Sequence, residues 1–352
     1  MSDPGLHMGS PGDLIAAVPA LLGVYPINSL IVAPVRGLPG QDGLSIAVVF
    51  RHDLHIPGDQ LAYVAAQMAA FTAAQNAATA VVLLVDATAS PNTASDVHTR
   101  TLAVVERALA DSGIAVGGAW ATRMIEPGET WWALEDPSVS GLVPDPETTP
   151  IAQQYAASGR TIHRSRDAIA QMLEVNPALA HRVRELLGAT TTSTNTPPES
   201  AVAEVPVVDH RVAVQVIIAR VDRIASGATL TPTDLADLAV ALRTSTVRLC
   251  VSGLADTHRA AVARQLWAVL TRSLPDPERA DAATLLAFAA LYDSQAALAD
   301  VAARAALVSA PEHREAQLLL VALQLGTPPR HLHVIIQRAH ELAATLDIDL
   351  DR

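Results

Sequence analysis

Ala80-Val81-Val82-Leu83-Leu84-Val85 is the stretch of sequence that decides the fold. These six consecutive apolar residues have the length of a strand, and three of them are β-branched valines. Such a run is typical of a strand that is buried on both faces of a sheet. Asp86 follows directly and ends the run. The stretch therefore predicts the central strand of an α/β sheet.

Segments on both sides of this strand alternate between helix and strand patterns. Ser10-Pro11-Gly12-Asp13 begins the first helix, because it combines a capping hydroxyl, an early proline and a carboxylate three residues on. The order of the elements predicts an N-terminal α/β domain with a mostly parallel or mixed sheet and flanking helices. The predicted helices are 14–22, 60–75, 96–111, a short one after residue 149, and 167–173. The other predicted strands are 29–33, 44–50, 114–125, 130–135 and 161–163.

The second part of the chain has a different pattern. A Thr/Pro-rich stretch, 189–206, predicts a flexible linker between an α/β domain at 1–188 and a second domain at 207–352. Every periodic segment after it is helical, which predicts an all-α bundle. The spacing of Ala299, Ala306, Leu307 and Pro311 matches one tetratricopeptide-like helix pair, and one unit is too few for a repeat array.

The absence of lysine and the presence of a single cysteine exclude several classes of enzyme. All 24 basic residues are arginine, whereas phosphate-loop NTPases, protein kinases, Schiff-base aldolases and the usual pyridoxal-phosphate enzymes need a lysine. Cys250 is the only cysteine, which excludes an internal disulfide and a cysteine zinc cluster. Its apolar surroundings predict a buried thiol rather than a nucleophile. No dinucleotide fingerprint is present, and no cofactor is expected.

Charge and hydropathy indicate the surroundings in which the protein works. The net charge is −12, with −8 in residues 1–188 and −4 in residues 189–352. Neither part has the basic excess that nucleic-acid binding uses. No run approaches the ~20 apolar residues that span a bilayer, and the first residues lack the order of a secretion signal. We expect a soluble, cytoplasmic protein that binds neither nucleic acid nor membrane.

Several motifs along the chain are similar to those of a known family. They are 10–23, Pro26, 28–32, 130–132, 149–150, 158–160, 165–166, 235–248, Trp267 and 287–329. At these positions the chain resembles an actinobacterial family, the domain of unknown function numbered 4192. The resemblance covers nearly the whole chain and implies the two-part architecture without implying an activity.

Polar residues follow three of the predicted strands. Arg51 and Asp53 follow the strand predicted at 44–50, Asp86 and Thr88 follow the central strand, and Arg123 lies near the end of a third strand. The carboxyl ends of parallel strands share one edge, where open α/β sheets bind ligands. The sequence therefore predicts a ligand site at this edge, with Asp86 as its foremost residue. The alternative is that the carboxylates only cap turns and pair with the arginines.

Aromatic side chains are expected to complete this site. Trp131 and Trp132 lie in the next hairpin and would overhang the edge as walls of a pocket. The alternative is that one of the two belongs to the core. No metal is expected, because the nearby candidates fit no strong ligand signature. Those candidates are His52, Asp53, His55 and Asp59.

Two functions from different classes are compatible with these features. The first is a non-catalytic module whose α/β domain binds a small molecule or a protein partner and whose helical domain is a protein-interaction surface. The alternative is an enzyme of another class, such as a hydrolase, with Asp53 and Asp86 as acid and base. Converging carboxylates in a concave pocket would favour the enzyme.

Overall fold

The predicted central strand lies in the interior of a mixed sheet. In the computed structural model β4 (Thr79–Val85) pairs parallel with β5 (Ala115–Thr122) and antiparallel with β1 (Ser29–Gly37). The remaining strands are β2 (Leu44–Ser45), β3 (Phe50–Asp53), β6 (Thr130–Ala133) and β7 (Ser140–Leu142). The strand order is β2-β1-β4-β5-β6-β7, and β3 also pairs with β1.

The expectation of a mixed sheet is confirmed, and the expectation of mostly parallel pairing is wrong. β4 and β5 form the one parallel pair among the described strands. β1 is inserted antiparallel between β3 and β4, so that these two strands are parallel to each other without touching. Short connections such as that from β5 to β6 lead to antiparallel neighbours, because a parallel crossover needs a dozen or more residues.

Each face of this sheet is covered by helices. On β4 the side chains of Val81, Leu83 and Val85 pack towards α1 (Pro11–Leu22). The intervening Val82 and Leu84 pack in the core that includes side chains of α2 (Leu61–Ala74) and α3 (Asp96–Asp111). This two-sided burial explains why the strand is apolar throughout. A further helix, α4 (Pro150–Ala157), contacts α1.

The rest of the described chain is helical. Buried alanines let its helices pack closely, and Ala280, Ala283, Ala306 and Ala316 form one cluster of the core. The helices are α5 (Arg166–Met172), α6 (Pro177–Thr192), α7 (His210–Ala225), α8 (Pro232–Leu242), α9 (Ser245–Ser252), α10 (Ala260–Ser273), α11 (Glu278–Tyr292), α12 (Ala296–Ser309), α13 (Arg314–Gln324) and α14 (His333–Thr345).

The chain divides into two compact units between Ser165 and Arg166. The expected boundary was later, at 189, with the segment 166–188 in the α/β domain. The structure corrects this, because α5 contacts α12, and α6 contacts α8 and α10. The structure describes residues 10–37, 44–46, 49–91, 95–192, 209–325 and 329–351. Most of the predicted linker lies outside these ranges, so its flexibility stays a prediction.

Local sequence patterns predicted most of the helices and strands, but three of these elements were not predicted. Ser10 caps α1, Gly23 ends it with φ 72°, and Ser95 caps α3 as predicted. The segments α6, α9 and β7 were not predicted. The expected strand at 161–163 is only an isolated bridge between His163 and Val24.

Membrane insertion can be examined for the described helices. No single one of them combines the length and the apolar composition that crossing a bilayer requires. Pro232–Leu242 and Ser245–Asp256 meet that requirement only as a pair, and the pair is bent by 103°.

Candidate functional site

The three predicted groups of polar residues lie at the same edge of the sheet. Asp53 ends β3, Val85 ends β4 and Thr122 ends β5, and these three strands run in the same direction. β1 begins at this edge, where Ser29 lies between Asp53 and Val85. We call this region the carboxyl edge. The expectation that the predicted residues share one edge is confirmed for all but the tryptophans.

Asp86 is buried at the carboxyl edge, with 5% of its surface exposed. Its Oδ1 accepts hydrogen bonds from the backbone N–H of Thr88 at 2.9 Å and from the Thr88 hydroxyl at 2.7 Å. Its Oδ2 lies 2.8 Å from Nε2 of His98 in the first turn of α3. The carboxylate therefore caps its own loop, as the alternative interpretation predicts, and its contact with His98 also ties this loop to α3.

These contacts also determine the ionisation of Asp86. Burial raises the pKa of the carboxyl group, because a buried charge loses its hydration. The hydrogen bonds from Thr88 and His98 act in the opposite direction and prevail, so that the pKa lies below its ordinary value. At neutral pH Asp86 is an anion whose two oxygens are both engaged, and this does not suit a general base.

Arg51 and Asp53 form an ion pair at one end of the carboxyl edge. Arg51 Nη2 lies 2.6 Å from Asp53 Oδ1, and the Asp53 side chain is 69% exposed. Arg51 Nε–H also donates to Ser29 Oγ at 2.9 Å, and Nη2–H donates to the carbonyl oxygen of Ile27 at 3.3 Å. The arginine thus ties the start of β1 to the end of β3.

A second ion pair occupies the other end of the carboxyl edge. Arg123 Nη2 lies 3.0 Å from Oε1 of Glu129, and its Nε lies 3.2 Å from the same oxygen. Glu129 Oε1 also accepts the backbone N–H of Thr130 at 3.0 Å. This pair closes the turn between β5 and β6. The predicted arginines and carboxylates therefore lie at the same edge of the sheet. Each forms contacts with its own nearby partners, and together they do not line one common pocket.

The tryptophans do not overhang the edge, and this part of the site prediction is wrong. Trp131 packs in the α1-side core and Trp132 in the core on the opposite face of the sheet. Consecutive side chains of a strand point to opposite faces, so one β6 strand supplies both cores. Gly12 of α1 lies so close to Trp131 that an added Cβ would be 3.1 Å from the indole Nε1.

Sequence reasoning missed several polar residues of the carboxyl edge, and two of them contact Asp86 or its loop. His98 pairs with Asp86, and the signal for it was available, because Ser95 was predicted to cap α3 and His98 is the third residue after that cap. Asn28 has φ 43° and accepts the backbone N–H of Ala87 at Oδ1, 3.3 Å away. An asparagine directly before a strand is compatible with such a left-handed turn.

Exposed apolar side chains lie beside these polar pairs. Ile27 precedes β1, Met124 follows β5, and Val97 belongs to the first turn of α3. All three are more than a third exposed. Since β1 and β5 both flank β4, the first two lie on either side of the Asp86 loop. At the carboxyl edge, exposed apolar side chains thus lie between two ion pairs, in each of which an arginine is paired with a carboxylate.

A sequence comparison identifies the family. The family described as Domain of unknown function (DUF4192) matches residues 11–330. The chain belongs to this family. The resemblance expected from the opening motif is therefore confirmed. The DUF4192 match includes the whole sheet and the helices as far as α13. No curated protein and no solved structure matches the chain.

The helical unit of this DUF4192 member has an exposed apolar stripe on α13. Leu318 is 69% exposed and Val321 is 49% exposed, and Leu325, the C-cap residue directly after the helix, is 68% exposed. Spacings of three and four residues put them on one face of the helix. Ala316 and Leu319 are buried on another face of the same helix. We call the exposed set, Leu318, Val321 and Leu325, the α13 stripe.

The described residues give little support to catalysis by a bound metal ion or by a thiol. Within the ranges that the structure describes, no three of the His, Cys, Asp and Glu side chains form a group that could hold a metal ion. Cys250 is buried, as predicted, and burial raises the pKa of its thiol to about 11. It is therefore protonated at neutral pH and unsuited to act as a nucleophile.

Proposed function

We propose that this DUF4192 member is a non-catalytic binding protein. Its helical unit is a protein-interaction surface, and its α/β unit binds a small molecule or a second protein at the carboxyl edge. We further propose that it works in the cytoplasm of an actinobacterium and binds neither nucleic acid nor membrane, which agrees with its charge of −12.

The α13 stripe is the observation that carries this proposal. Large apolar side chains that are about half exposed or more cost hydration free energy, of the order of 25 cal/mol per Å² of exposed apolar surface. Three of them on one helical face form a row of the kind that docks into a hydrophobic groove or beside another helix. We therefore propose a partner that offers an amphipathic helix with apolar residues at the same spacing.

The carboxyl edge supports the same conclusion. Arg51 pairs there with Asp53 and Arg123 pairs with Glu129. The exposed Ile27, Val97 and Met124 lie beside these pairs and add apolar surface that a partner would contact. Asp53 and Asp86 are held apart by β1 and do not converge as an acid and base must.

The decisive experiment compares proteins recovered with two variants of the tagged full-length chain from its native cells. Leu318→Asp combined with Val321→Asp should lose a specific partner at least tenfold by quantitative mass spectrometry. Val139→Asp, an equally polar change at a residue that is 52% exposed in the other unit, is the matched control and should keep it. If every recovered protein is equally abundant with both variants, the α13 stripe is not an interaction surface.

The enzyme alternative depends on the Asp86–His98 contact. An aspartate that orients a histidine is a common arrangement in hydrolases, and this pair lies at the carboxyl end of a central strand. If the chain hydrolyses p-nitrophenyl acetate or p-nitrophenyl phosphate, His98→Gln should abolish turnover while the melting temperature changes little. The absence of turnover above a heat-inactivated sample would remove this alternative for these substrate classes.

A further inference from the structure

A charged residue continues the α13 stripe at the N-terminal end of the helix. Arg314 lies four residues before Leu318, and this spacing puts it on the same face of α13 as the stripe. Arg314 is exposed, and among the residues that the structure describes its side chain forms no ion pair and no hydrogen bond. The exposed row of α13 therefore consists of one cation followed by three apolar side chains.

The other polar residues of α13 do not neutralise this cation. Gln317 and Gln324 are exposed beside the row and carry no charge. Glu315 is the one acidic residue in the sequence of α13, and its Oε1 lies 3.1 Å from Nη2 of Arg248, with which it is paired. This face is thus cationic, although the whole chain has a net charge of −12.

The first turn of a helix is an unfavourable place for a cation. Arg314 is the first residue of α13 and follows the capping residue His313. The N-terminus of a helix has a partial positive charge, which repels a guanidinium group. The folding of α13 alone therefore does not account for an arginine here, whereas a carboxylate of a bound partner would offset the repulsion and pair with it.

We infer that the partner of the α13 stripe is an amphipathic helix of another protein, with a carboxylate at the end of its apolar row, opposite Arg314. The inference rests on the proposed function, because it names the chemistry of the partner at the same surface. The apolar residues of that helix pack against the stripe, and its aspartate or glutamate pairs with the guanidinium group. The opposite charges steer the encounter and select the register of the two helices.

A second copy of this chain does not supply the required carboxylate. In a parallel pair of α13 helices the two Arg314 side chains would lie side by side and repel each other. In an antiparallel pair aligned on the same row, each Arg314 would lie opposite Leu325 of the other copy. A net charge of −12 on each chain adds further repulsion. The charges therefore favour a different, acidic partner.

The test measures the binding of labelled, alanine-rich helical peptides to the full-length chain by fluorescence anisotropy. Each peptide has three leucines at the spacing of the α13 stripe and one glutamate. The glutamate stands four residues before the first leucine in one peptide and four residues after the last in the other, which has the reversed spacing, so that both helix directions are covered. One of these peptides should bind about two- to fivefold more tightly than its counterpart with lysine, as expected for a partly exposed ion pair.

Reversal of the charge on α13 tests the pairing itself. Arg314→Glu should reverse the preference, so that the lysine peptide binds more tightly. The variant should fold, because an acidic residue is favourable at a helix N-terminus. Arg338→Glu, at a 70% exposed arginine of α14, is the control and should keep the preference for glutamate. Equal affinity for both kinds of peptide, an unchanged preference in Arg314→Glu, or the absence of binding by every peptide would overturn the inference.

Two further measurements separate this inference from the proposed function. Leu318→Asp combined with Val321→Asp should abolish the binding of every peptide. If it does so while glutamate and lysine peptides bind the wild type equally, the α13 stripe is an interaction surface but its partner is not acidic. A dimer that is seen in sedimentation velocity and dissociates in the same double variant would identify a second copy as the partner and refute the inference.

Discussion

Asp86 shows at the scale of one residue how a carboxylate can stabilise a loop. It is almost fully buried and accepts hydrogen bonds from Thr88 and His98. We expect Asp86→Asn to lower the free energy of unfolding by roughly 1–3 kcal/mol, because an amide cannot accept at both positions. Urea denaturation measures this loss. Asp53→Asn, at an exposed position, should change stability by less than about 0.5 kcal/mol. An unchanged stability of Asp86→Asn would favour a role in binding.

The lowered pKa of Asp86 gives this contribution a defined pH dependence. Since the folded pKa lies below the ordinary 3.8, the unfolded chain takes up the proton first as pH falls. The stabilisation is therefore complete well above pH 3.8 and is lost as pH decreases through the folded pKa. The difference in unfolding free energy between the wild type and Asp86→Asn should shrink over this interval. A difference that stays constant from pH 7 to pH 3 would contradict the argument.

Gly12 allows α1 to approach the β6–β7 hairpin closely. A Cβ at this position would lie 2.7 Å from the Leu142 carbonyl oxygen and 3.1 Å from Trp131 Nε1. Gly12→Ala should therefore cost roughly 1–3 kcal/mol by overpacking, although alanine favours helices. Gly188→Ala in α6 is the control, because a Cβ added there meets no atom of the described residues within 4 Å apart from its own helix backbone and chain neighbours. That change should stabilise by about 0.5–1 kcal/mol in thermal unfolding. Destabilisation by both changes would argue against a packing effect.

At the scale of elements, the first turn of α8 has the most complete cap among the described helices. Thr231 Oγ1 accepts the backbone N–H of Asp234, whose carboxylate in turn accepts the backbone N–H of Thr231. Thr231→Ala should lower the unfolding free energy by about 1 kcal/mol. Thr233→Ala, an exposed change in the same turn, should stay within about 0.5 kcal/mol of the wild type in urea denaturation. Equal stability of the two variants would mean that water replaces the cap.

At the scale of the whole molecule, the boundary between the units can be tested with fragments. α5 and α6 contact helices of the second unit, although the sequence placed them with the sheet. A fragment of residues 166–352 should therefore unfold cooperatively in a calorimeter. A fragment of residues 207–352 loses those contacts and should melt at a lower temperature or bind a dye for exposed apolar surface. If the shorter fragment is as stable as the longer one, the boundary predicted from the sequence is the correct one.

The sequence by itself determined the elements that depend on neighbouring residues. Ser10 and Gly23 mark both ends of α1, Ser95 marks the start of α3, and the apolar run 80–85 identifies the central strand. Caps, turns and hydrophobic periodicity act over a few residues, so a single sequence reveals them. The same local signals were sufficient to predict an α/β part followed by a helical part.

Only the tertiary structure decided which groups meet. The insertion of β1 between β3 and β4 separates Asp53 from Asp86, and the alternation along β6 buries Trp131 and Trp132 in different cores. His98 became a partner of Asp86 because α3 packs on the face towards which Asp86 points. These outcomes depend on pairings between segments that are distant in the chain. Such pairings are selected by the burial and packing of the complete fold, which no local pattern of residues encodes.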